Sequence, residues 1–264
     1  MNAVAVRLEN LRRGGGKAFI PFVMAGYPGL EATLPLLRGL AEAGADAIEL
    51  GLAFSDPLAD GPVNQAAAHA ALLAGAGLDW TLALAAEAAP RLPCPLILFT
   101  YLNPIIQRGA ARFAALAAEA GIAGLVVPDL PPEAAGELIE EAEARDLGLA
   151  FLAAPTSPAA RIALAARSSS AFLYTVTLRG VTGERGFLPP DLPGFMARVR
   201  ANAACPVMVG FGISGAAQAS QAAALADGVI VGSALVRLAG TEGIEAACRL
   251  ARELRASIRP VAAG

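Results

Sequence analysis

Side chains that hold metals or form Schiff bases are scarce in this chain of 264 residues, which has one lysine (Lys17), one histidine (His69) and three cysteines. Catalytic zinc sites usually use more than one His or Cys ligand, so the sequence does not favour a metal site. The cysteines, Cys94, Cys205 and Cys248, are isolated, which is typical of small buried side chains in a reducing compartment. Any enzymatic chemistry should therefore come from carboxylates, hydroxyls and backbone groups.

Positive charge is also not in excess, because 20 Lys+Arg residues stand against 23 Asp+Glu residues, a formal net charge of −3. Nucleic acids and anionic membranes bind basic surfaces, so this balance argues against both as partners. No stretch holds the ~18 uninterrupted apolar residues of a membrane span, and the N-terminus lacks a signal-peptide core. We expect a cytoplasmic protein with a small-molecule substrate.

Short apolar runs alternate with longer stretches of helical composition along the chain. The runs are 18–23, 47–50, 96–101, 124–127, 149–152, 172–177, 207–209 and 228–231. The helical stretches are 30–43, 63–89, 110–120, 133–145, 159–167, 193–201, 218–226 and 244–258. Apolar runs of this length that are followed by helices indicate βα units with a buried parallel sheet.

Eight such runs at this length predict an α/β fold, a single (β/α)8 TIM barrel that forms one catalytic domain over residues 1–264. A doubly wound open sheet is the alternative, although such sheets commonly have fewer strands. Residues 1–12 carry Val4, Leu8 and Leu11 at helical spacing. They predict an extra N-terminal helix that covers the bottom of the barrel.

Glu49 lies near the end of the second predicted strand. Side chains alternate along a strand, so Glu49 shares the face of Ala47, while the bulky Ile48 and Leu50 should face the helices. A carboxyl group inside the barrel would have a raised pKa, as a general acid/base requires. The alternative is a structural carboxylate that accepts hydrogen bonds from backbone amides.

The loop after that strand carries two more carboxylates, Asp56 and Asp60, on a segment that Pro57 and Pro62 stiffen. In a barrel, activity lies at the C-terminal ends of the strands and in the loops that follow them. Because Asp60 precedes a helix start, helix capping is its alternative role. Three carboxylates at one strand end nevertheless indicate acid–base chemistry.

Glycine-rich junctions late in the chain are candidates for phosphate binding, since backbone amides can hold an anion without lysine. They are 180–183, 210–214 and 231–233, and the last two follow the seventh and eighth predicted strands, the usual phosphate site of a barrel. Ser214 and Ser233 are each expected to cap the next helix. The polar loop 178–190 follows the sixth predicted strand, and it is predicted to be a lid.

Aromatic side chains make up only 5% of the chain, yet they concentrate near the ends of predicted strands. This concentration indicates a pocket for a flat apolar ligand, although core packing explains any one of them equally well. The side chains are Phe22, Phe99, Tyr101, Phe172, Tyr174 and Phe211.

At these residues the chain resembles the tryptophan synthase alpha subunit family. The motifs that carry the resemblance are Glu49-Leu50-Gly51, the segment 54–62 (FSDPLADGP), Tyr101-x-Asn103-Pro104, 128–131 (PDLP), 180–183 (GVTG), 210–214 (GFGIS) and 231–234 (VGSA). They occur in family order across almost the whole chain. The resemblance implies a lyase of tryptophan biosynthesis that cleaves indole-3-glycerol phosphate to indole and glyceraldehyde 3-phosphate.

The resemblance also implies roles for individual residues. Glu49 would protonate indole C3 and take the proton from the C3′ hydroxyl, and Asp60 would bind the indole N1–H and stabilise positive charge on the ring. Thr182 would be the lid residue that closes onto Asp60. The other implied substrate-binding residues are Phe22, Tyr101, Tyr174 and Phe211 around the indole, and Gly183, Gly212, Gly232 and Ser233 around the phosphate.

The same resemblance implies a partner, a beta subunit that contains PLP and receives the indole within an α2β2 heterotetramer. This chain itself would need no cofactor. Asp56, Asn103 and Asp129 would lie on the surface that faces the beta subunit. Two positions depart from the family pattern: Ala53 stands where proline is usual, and 177–179 (TLR) replaces the commoner Ser-Arg-x.

The shortage of lysine bears on the mechanism. Carbon–carbon cleavage of the aldol type usually needs a lysine Schiff base or a metal as electron sink. Lys17 precedes the first predicted strand and so lies at the wrong end of a barrel. An indole ring protonated at C3 supplies its own sink. Two alternatives stay open: a barrel isomerase of sugar or aminosugar phosphates, and a non-catalytic subunit that activates a PLP enzyme.

Overall fold

The computed structural model describes residues 2–176, 190–210 and 212–258, which contain nine strands and twelve α-helices. The strands are β1 (Ala18–Met24), β2 (Ile48–Gly51), β3 (Leu96–Phe99), β4 (Ile122–Val126), β5 (Gly148–Ala150), β6 (Leu152–Ala153), β7 (Leu173–Val176), β8 (Val207–Gly210) and β9 (Gly228–Val231). The helices are α1 (Ala3–Arg13), α2 (Leu30–Glu42), α3 (Pro62–Leu73), α4 (Leu78–Ala88), α5 (Leu102–Arg108), α6 (Ala110–Glu119), α7 (Gly136–Glu143), α8 (Ala159–Ser168), α9 (Leu192–Arg200), α10 (Ala216–Leu225), α11 (Ser233–Thr241) and α12 (Ile244–Ser257). Short 3₁₀ helices cover Ala89–Arg91 and Pro132–Ala134.

The strands form a parallel barrel that closes where β5 and β6 meet. Their order is β5-β4-β3-β2-β1-β9-β8-β7-β6. Only Phe151 separates β5, which pairs with β4, from β6, which pairs with β7. The Phe151 carbonyl accepts a hydrogen bond from the Tyr174 amide at 2.9 Å. β5 and β6 therefore act as one strand of an eight-stranded ring, which confirms the predicted TIM barrel and excludes the open sheet.

The alternation of side chains along the strands produces two apolar clusters. One lies between the strands and the surrounding helices and includes Ile48 and Leu50. The other fills the barrel interior and includes Phe22 and Ile97. Glu49 pairs in register with Phe22 and Ile97, so it lies on the interior face, as the alternation predicts.

The N-terminal helix α1 covers the end of the barrel at which the strands begin. Val4 and Leu8 are buried in the interior cluster, and Leu11 packs against it. The Asn2 side chain caps α1 by accepting a hydrogen bond from an amide in its first turn, and it donates another to the Ser170 carbonyl at 3.0 Å. These contacts confirm the predicted helix and its position.

A buried carboxylate, Asp46, links this end of the barrel to two helices. Its Oδ2 accepts a hydrogen bond from the Phe19 amide at 3.0 Å, and its Oδ1 accepts one from Arg7 of α1 at 2.9 Å. Arg255 of α12 lies 3.2 Å from Oδ2. Because Asp46 is fully buried, these partners compensate a charge that would otherwise strongly destabilise the fold.

The helices differ from the sequence prediction in three places. The stretch 63–89 forms two helices, α3 and α4, because Gly75 ends the first one with a backbone φ of +96°. Helices α5 and α11 are not among the predicted helical stretches. Within the described ranges no single helix is long and apolar enough to span a membrane, and Pro62–Leu73 and Leu78–Arg91, which pass that test only as a pair, are bent by 96°.

Candidate active site

Glu49 is a fully buried carboxyl group on β2. Neither of its oxygens makes a hydrogen bond with any described residue. Burial raises the pKa of Glu49 from 4.5 to about 8. The side chain is therefore a neutral acid around pH 7, able to give up a proton and take it back. This arrangement contradicts the alternative of a structural carboxylate bonded to backbone amides.

Asp60 is the second buried carboxyl group, in the loop between β2 and α3. The Tyr101 hydroxyl donates a hydrogen bond to its Oδ2 at 2.8 Å, and Asn64 Nδ2 donates one to its Oδ1 at 3.2 Å. Burial raises the pKa of Asp60 above its ordinary value, and these two hydrogen bonds oppose the rise without cancelling it. Helix α3 begins after Gly61 without a side-chain cap, so the alternative capping role of Asp60 is wrong.

Tyr101 is held beside Asp60 by aromatic packing. Its ring stacks on Phe54 with centroids 5.2 Å apart. It meets the ring of Phe99 in an edge-to-face arrangement, with centroids 6.2 Å apart. Its hydroxyl also accepts a hydrogen bond from the Ala59 amide at 3.2 Å. Burial and the nearby charge of Asp60 raise the pKa of Tyr101 far above its ordinary value. Tyr101 therefore keeps its proton and stays a donor to Asp60.

A pocket at the C-terminal end of the strands brings together most of the predicted substrate-binding residues. The rings of Phe22 and Phe99 meet edge to face at 5.5 Å. Gly51 makes room for the ring of Phe22, since a Cβ at position 51 would lie 2.5 Å from Phe22 Cζ. The lining residues are Phe22, Asp60, Asn64, Phe99, Tyr174, Gly212, Ile213, Ile230, Gly232 and Ser233.

Tyr174 connects the pocket electrostatically to both carboxyl groups. Burial raises its pKa well above the ordinary value, and the negative charges of Glu49 and Asp60 raise it further. Tyr174 is thus a buried, neutral side chain that lines the pocket together with Phe22 and Asp60.

The junctions after β8 and β9 are suited to bind an anion, although their serines do not cap the helices as predicted. Gly215 is the N-cap of α10 and Gly232 is the N-cap of α11, and neither helix has a side-chain cap. Ser214 instead bonds to Gln218 Oε1 through its amide and its hydroxyl, and Ser233 is the first residue of α11. An uncapped helix start offers its amides to a phosphate.

Three predicted binding residues, Thr182, Gly183 and Phe211, lie outside the described residues, as does most of the predicted lid. The three predicted partner-facing residues are described, and Asp56, Asn103 and Asp129 are all exposed. Asp129 also has a role within the chain, because its Oδ1 accepts a hydrogen bond from the Leu102 amide at 2.9 Å and so caps α5. Their role toward a partner stays a prediction.

Asn64 and the apolar pair Ile213 and Ile230 are pocket residues that sequence reasoning missed. A signal for Asn64 was present, because it follows Asp60 by four residues at a helix start, a spacing that brings side chains together. The single histidine and the single lysine lie elsewhere. His69 is exposed on α3, and Lys17 Nζ donates to the Ala226 carbonyl at 2.6 Å at the opposite end of the barrel.

A (β/α)8 barrel with buried carboxyl groups and uncapped helix starts at the C-terminal end of its strands is typical of one class, the barrel enzymes that bind phosphorylated ligands and use acid–base chemistry. The comparisons narrow the class to one family. The family model described as "Tryptophan synthase alpha chain" matches residues 8–261. The chain therefore belongs to the tryptophan synthase alpha chain family.

Individual relatives agree with this assignment over nearly the full length. A tryptophan synthase alpha chain of Synechococcus elongatus is 47% identical over 259 residues, which cover 98% of this chain and 97% of that one. A structure of Mycobacterium tuberculosis tryptophan synthase superposes with a TM-score of 0.91 at 38% identity and covers 98% of this chain and 99% of that one. The structure of tryptophan synthase subunit alpha from Legionella pneumophila superposes with a TM-score of 0.89 at 35% identity, and 98% of each chain is covered.

Proposed function

We propose that this chain, as a single catalytic domain in the cytoplasm, cleaves indole-3-glycerol phosphate to indole and glyceraldehyde 3-phosphate. The observation that carries the proposal is the contrast between two carboxyl groups at one end of the barrel. Glu49 is buried without a donor among the described residues and has a pKa of about 8, whereas two donors oppose the effect of burial on Asp60. Unequal environments of this kind assign an acid and an ionised partner to one site.

The cleavage needs one proton to enter at indole C3 and one to leave the C3′ hydroxyl. Protonated Glu49 gives its proton to C3, and the positive charge then resides on the ring nitrogen, where ionised Asp60 stabilises it. The Glu49 carboxylate next removes the hydroxyl proton. As the C3′ carbonyl forms, the C3–C3′ bond breaks, and its electrons return to the ring and neutralise the nitrogen. Glu49 ends the cycle protonated, so no further acid, base or oxidant is required.

The two parts of the substrate, the indole ring and the phosphate, would bind to different groups in the pocket. The indole would pack among Phe22, Tyr174 and Tyr101, and the phosphate would bind the amides at Gly212, Gly232 and Ser233. Thr182 and Gly183 of the loop and Phe211 would complete the site. The aromatic side of the pocket disfavours the alternative isomerase, since a sugar phosphate has no flat apolar group to fill it.

The family also implies a beta subunit as partner, and we propose the α2β2 heterotetramer for this chain. PLP is expected in the beta subunit, and this chain should need no cofactor. Asp56, Asn103 and Asp129 would face that subunit. Two large apolar side chains near them support this surface, because Leu58 is 84% exposed and Ile106 is 66% exposed.

The proposal is tested by incubating the isolated chain with indole-3-glycerol phosphate and measuring both products. We expect indole and glyceraldehyde 3-phosphate in equal amounts. Asp60→Asn should lose at least about a hundredfold in turnover, because an amide cannot stabilise the ring cation. Asp79→Asn, a change at an exposed aspartate of α4, is the matched control and should keep the wild-type rate. Absence of cleavage by the wild-type chain, or formation of an isomer without indole, would overturn the proposal.

A further inference from the structure

Asn64 has one hydrogen-bonding atom in use and one that is not. Its Nδ2 donates to Asp60 Oδ1 at 3.2 Å. Its Oδ1 is buried and accepts no hydrogen bond from any residue that the structure describes. The side chain lines the same pocket as Asp60, Phe22 and Tyr174. An unused acceptor therefore belongs to a residue of the ligand pocket.

The orientation of this amide follows from its neighbour. An ionised carboxylate only accepts hydrogen bonds, so Asp60 selects the NH2 group of Asn64 and turns the carbonyl oxygen away from itself. The next residue does not meet the need of that oxygen, because Gln65 directs its Nε2 to the Asp60 carbonyl at 2.9 Å. Buried carbonyl groups in folded proteins almost always find a donor. A donor group on the ligand would supply the hydrogen bond that Asn64 Oδ1 lacks.

We propose that Asn64 Oδ1 accepts a hydrogen bond from an N–H or O–H group of the bound substrate and thereby positions it against Asp60. The inference rests on the proposed function for the identity of the substrate. That substrate carries two kinds of donor, the indole N–H and the hydroxyls of its glycerol chain. Asn64 is accordingly a positioning residue with two contacts, one to Asp60 and one to the ligand.

Two ligands separate the possible donors. Indole-3-propanol phosphate has the ring N–H and no chain hydroxyls, whereas glycerol 3-phosphate has hydroxyls and no ring. Their Kd values are measured by calorimetry from pH 6 to pH 9 for the wild type, Asn64→Leu and Asn64→Ala. The leucine variant keeps a similar side-chain volume, and the alanine variant controls for a clash. Thermal unfolding checks that each variant is folded.

Tyr101→Phe is the matched control, because it removes the other donor to Asp60 and leaves Asn64 Oδ1 in place. If Asn64 acts on the ligand directly, its two variants bind one of the ligands about tenfold more weakly even at the alkaline end of the range, where the lost hydrogen bond to Asp60 matters least. Tyr101→Phe should weaken binding more as pH falls, because loss of its hydroxyl raises the pKa of Asp60. The ligand that loses affinity identifies the donor.

The inference is overturned if the Asn64 variants bind both ligands as the wild type does, or if their losses follow those of Tyr101→Phe across the pH range. Failure of the proposed function gives a different result. In that case the wild type itself does not bind indole-3-propanol phosphate. Normal wild-type binding with unchanged affinity in the Asn64 variants removes only the role of Asn64 Oδ1.

Discussion

The hydroxyl of Tyr101 lies 2.8 Å from Asp60 Oδ2, although 41 residues separate the two in the sequence. The loop after β2 brings Asp60 to this point, and the end of β3 brings Tyr101. Because the pKa of the Tyr101 hydroxyl is raised, it stays protonated and serves as a fixed donor. The pair places a fixed donor on one buried carboxyl group, whereas Glu49 has no donor among the described residues.

Tyr101→Phe should impair catalysis mainly at low pH. Two hydrogen bonds, from Tyr101 and Asn64, lower the pKa of Asp60 against the effect of burial, and that from the Tyr101 hydroxyl has the larger effect. Without it, Asp60 is protonated at a higher pH and loses its ability to stabilise the ring cation. We expect kcat/KM to fall about three- to tenfold at pH 6 and to stay within about twofold of the wild type near pH 8. A pH–rate profile checks this, and an equal loss at both pH values would refute the role of the hydroxyl.

Glu49→Gln should stabilise the protein at alkaline pH. The folded-state pKa of Glu49, about 8, exceeds its ordinary value of 4.5, so the folded state binds more protons than the unfolded state between these values. Stability of the wild type therefore falls as pH rises through this window, and a glutamine, which cannot ionise, escapes the loss. The gain approaches roughly 5 kcal/mol at most above pH 8 and vanishes below pH 4.5.

Urea unfolding at pH 5 and pH 8.5 measures this difference. The matched control is Glu119→Gln, at an exposed position in α6, which should change the free energy of unfolding by less than about 0.5 kcal/mol at either pH. An advantage of Glu49→Gln that is the same at both pH values would contradict the assignment of Glu49 as a buried, unpaired acid.

Asp46→Ala should destabilise the barrel without changing its chemistry. The substitution leaves Arg255, which is largely buried, and the Phe19 amide without their carboxylate. Breaking a buried ion pair typically costs about 3–5 kcal/mol. Since Asp46 precedes β2 at the end opposite the pocket, turnover per folded molecule should match the wild type.

The control for Asp46 is Asp79→Ala, which removes an ion pair with Arg108 in which the aspartate is 76% exposed. An exposed pair should contribute less than about 1 kcal/mol. Denaturant unfolding compares the two variants. Equal and small losses would show that the Asp46 contacts do not hold α1 and α12 to the barrel.

The barrel could be predicted from the sequence because its strands are buried on both faces and appear as short apolar runs. The interior position of Glu49 followed from its alternation with Ile48 and Leu50, which the helix-facing cluster confirms. The break at Gly75 was missed because its surroundings are rich in alanine, a strong helix former that hides a helix end. Contacts between distant segments carry no such local pattern.

The site was predictable in its residues but not in their partners. Glu49 and Asp60 stand out as carboxylates near a strand end, and Tyr101 as an aromatic residue near another. That Tyr101 and Asn64 both donate to Asp60 depends on the packing of β3, α3 and the intervening loop. Sequence spacing alone cannot fix whether a serine such as Ser214 caps a helix or bonds to Gln218, because both contacts lie within the reach of its side chain.

The central claim is that Glu49 transfers the proton at indole C3, and turnover by Glu49→Gln tests it most directly. Indole release is measured for the wild type, Glu49→Gln and Glu119→Gln, with binding of indole-3-propanol phosphate as the check on an intact pocket. We expect Glu49→Gln to lose about 10²- to 10⁴-fold in kcat while it binds this ligand as the wild type does, and Glu119→Gln to lose nothing. Release of indole by Glu49→Gln at the wild-type rate would contradict the account.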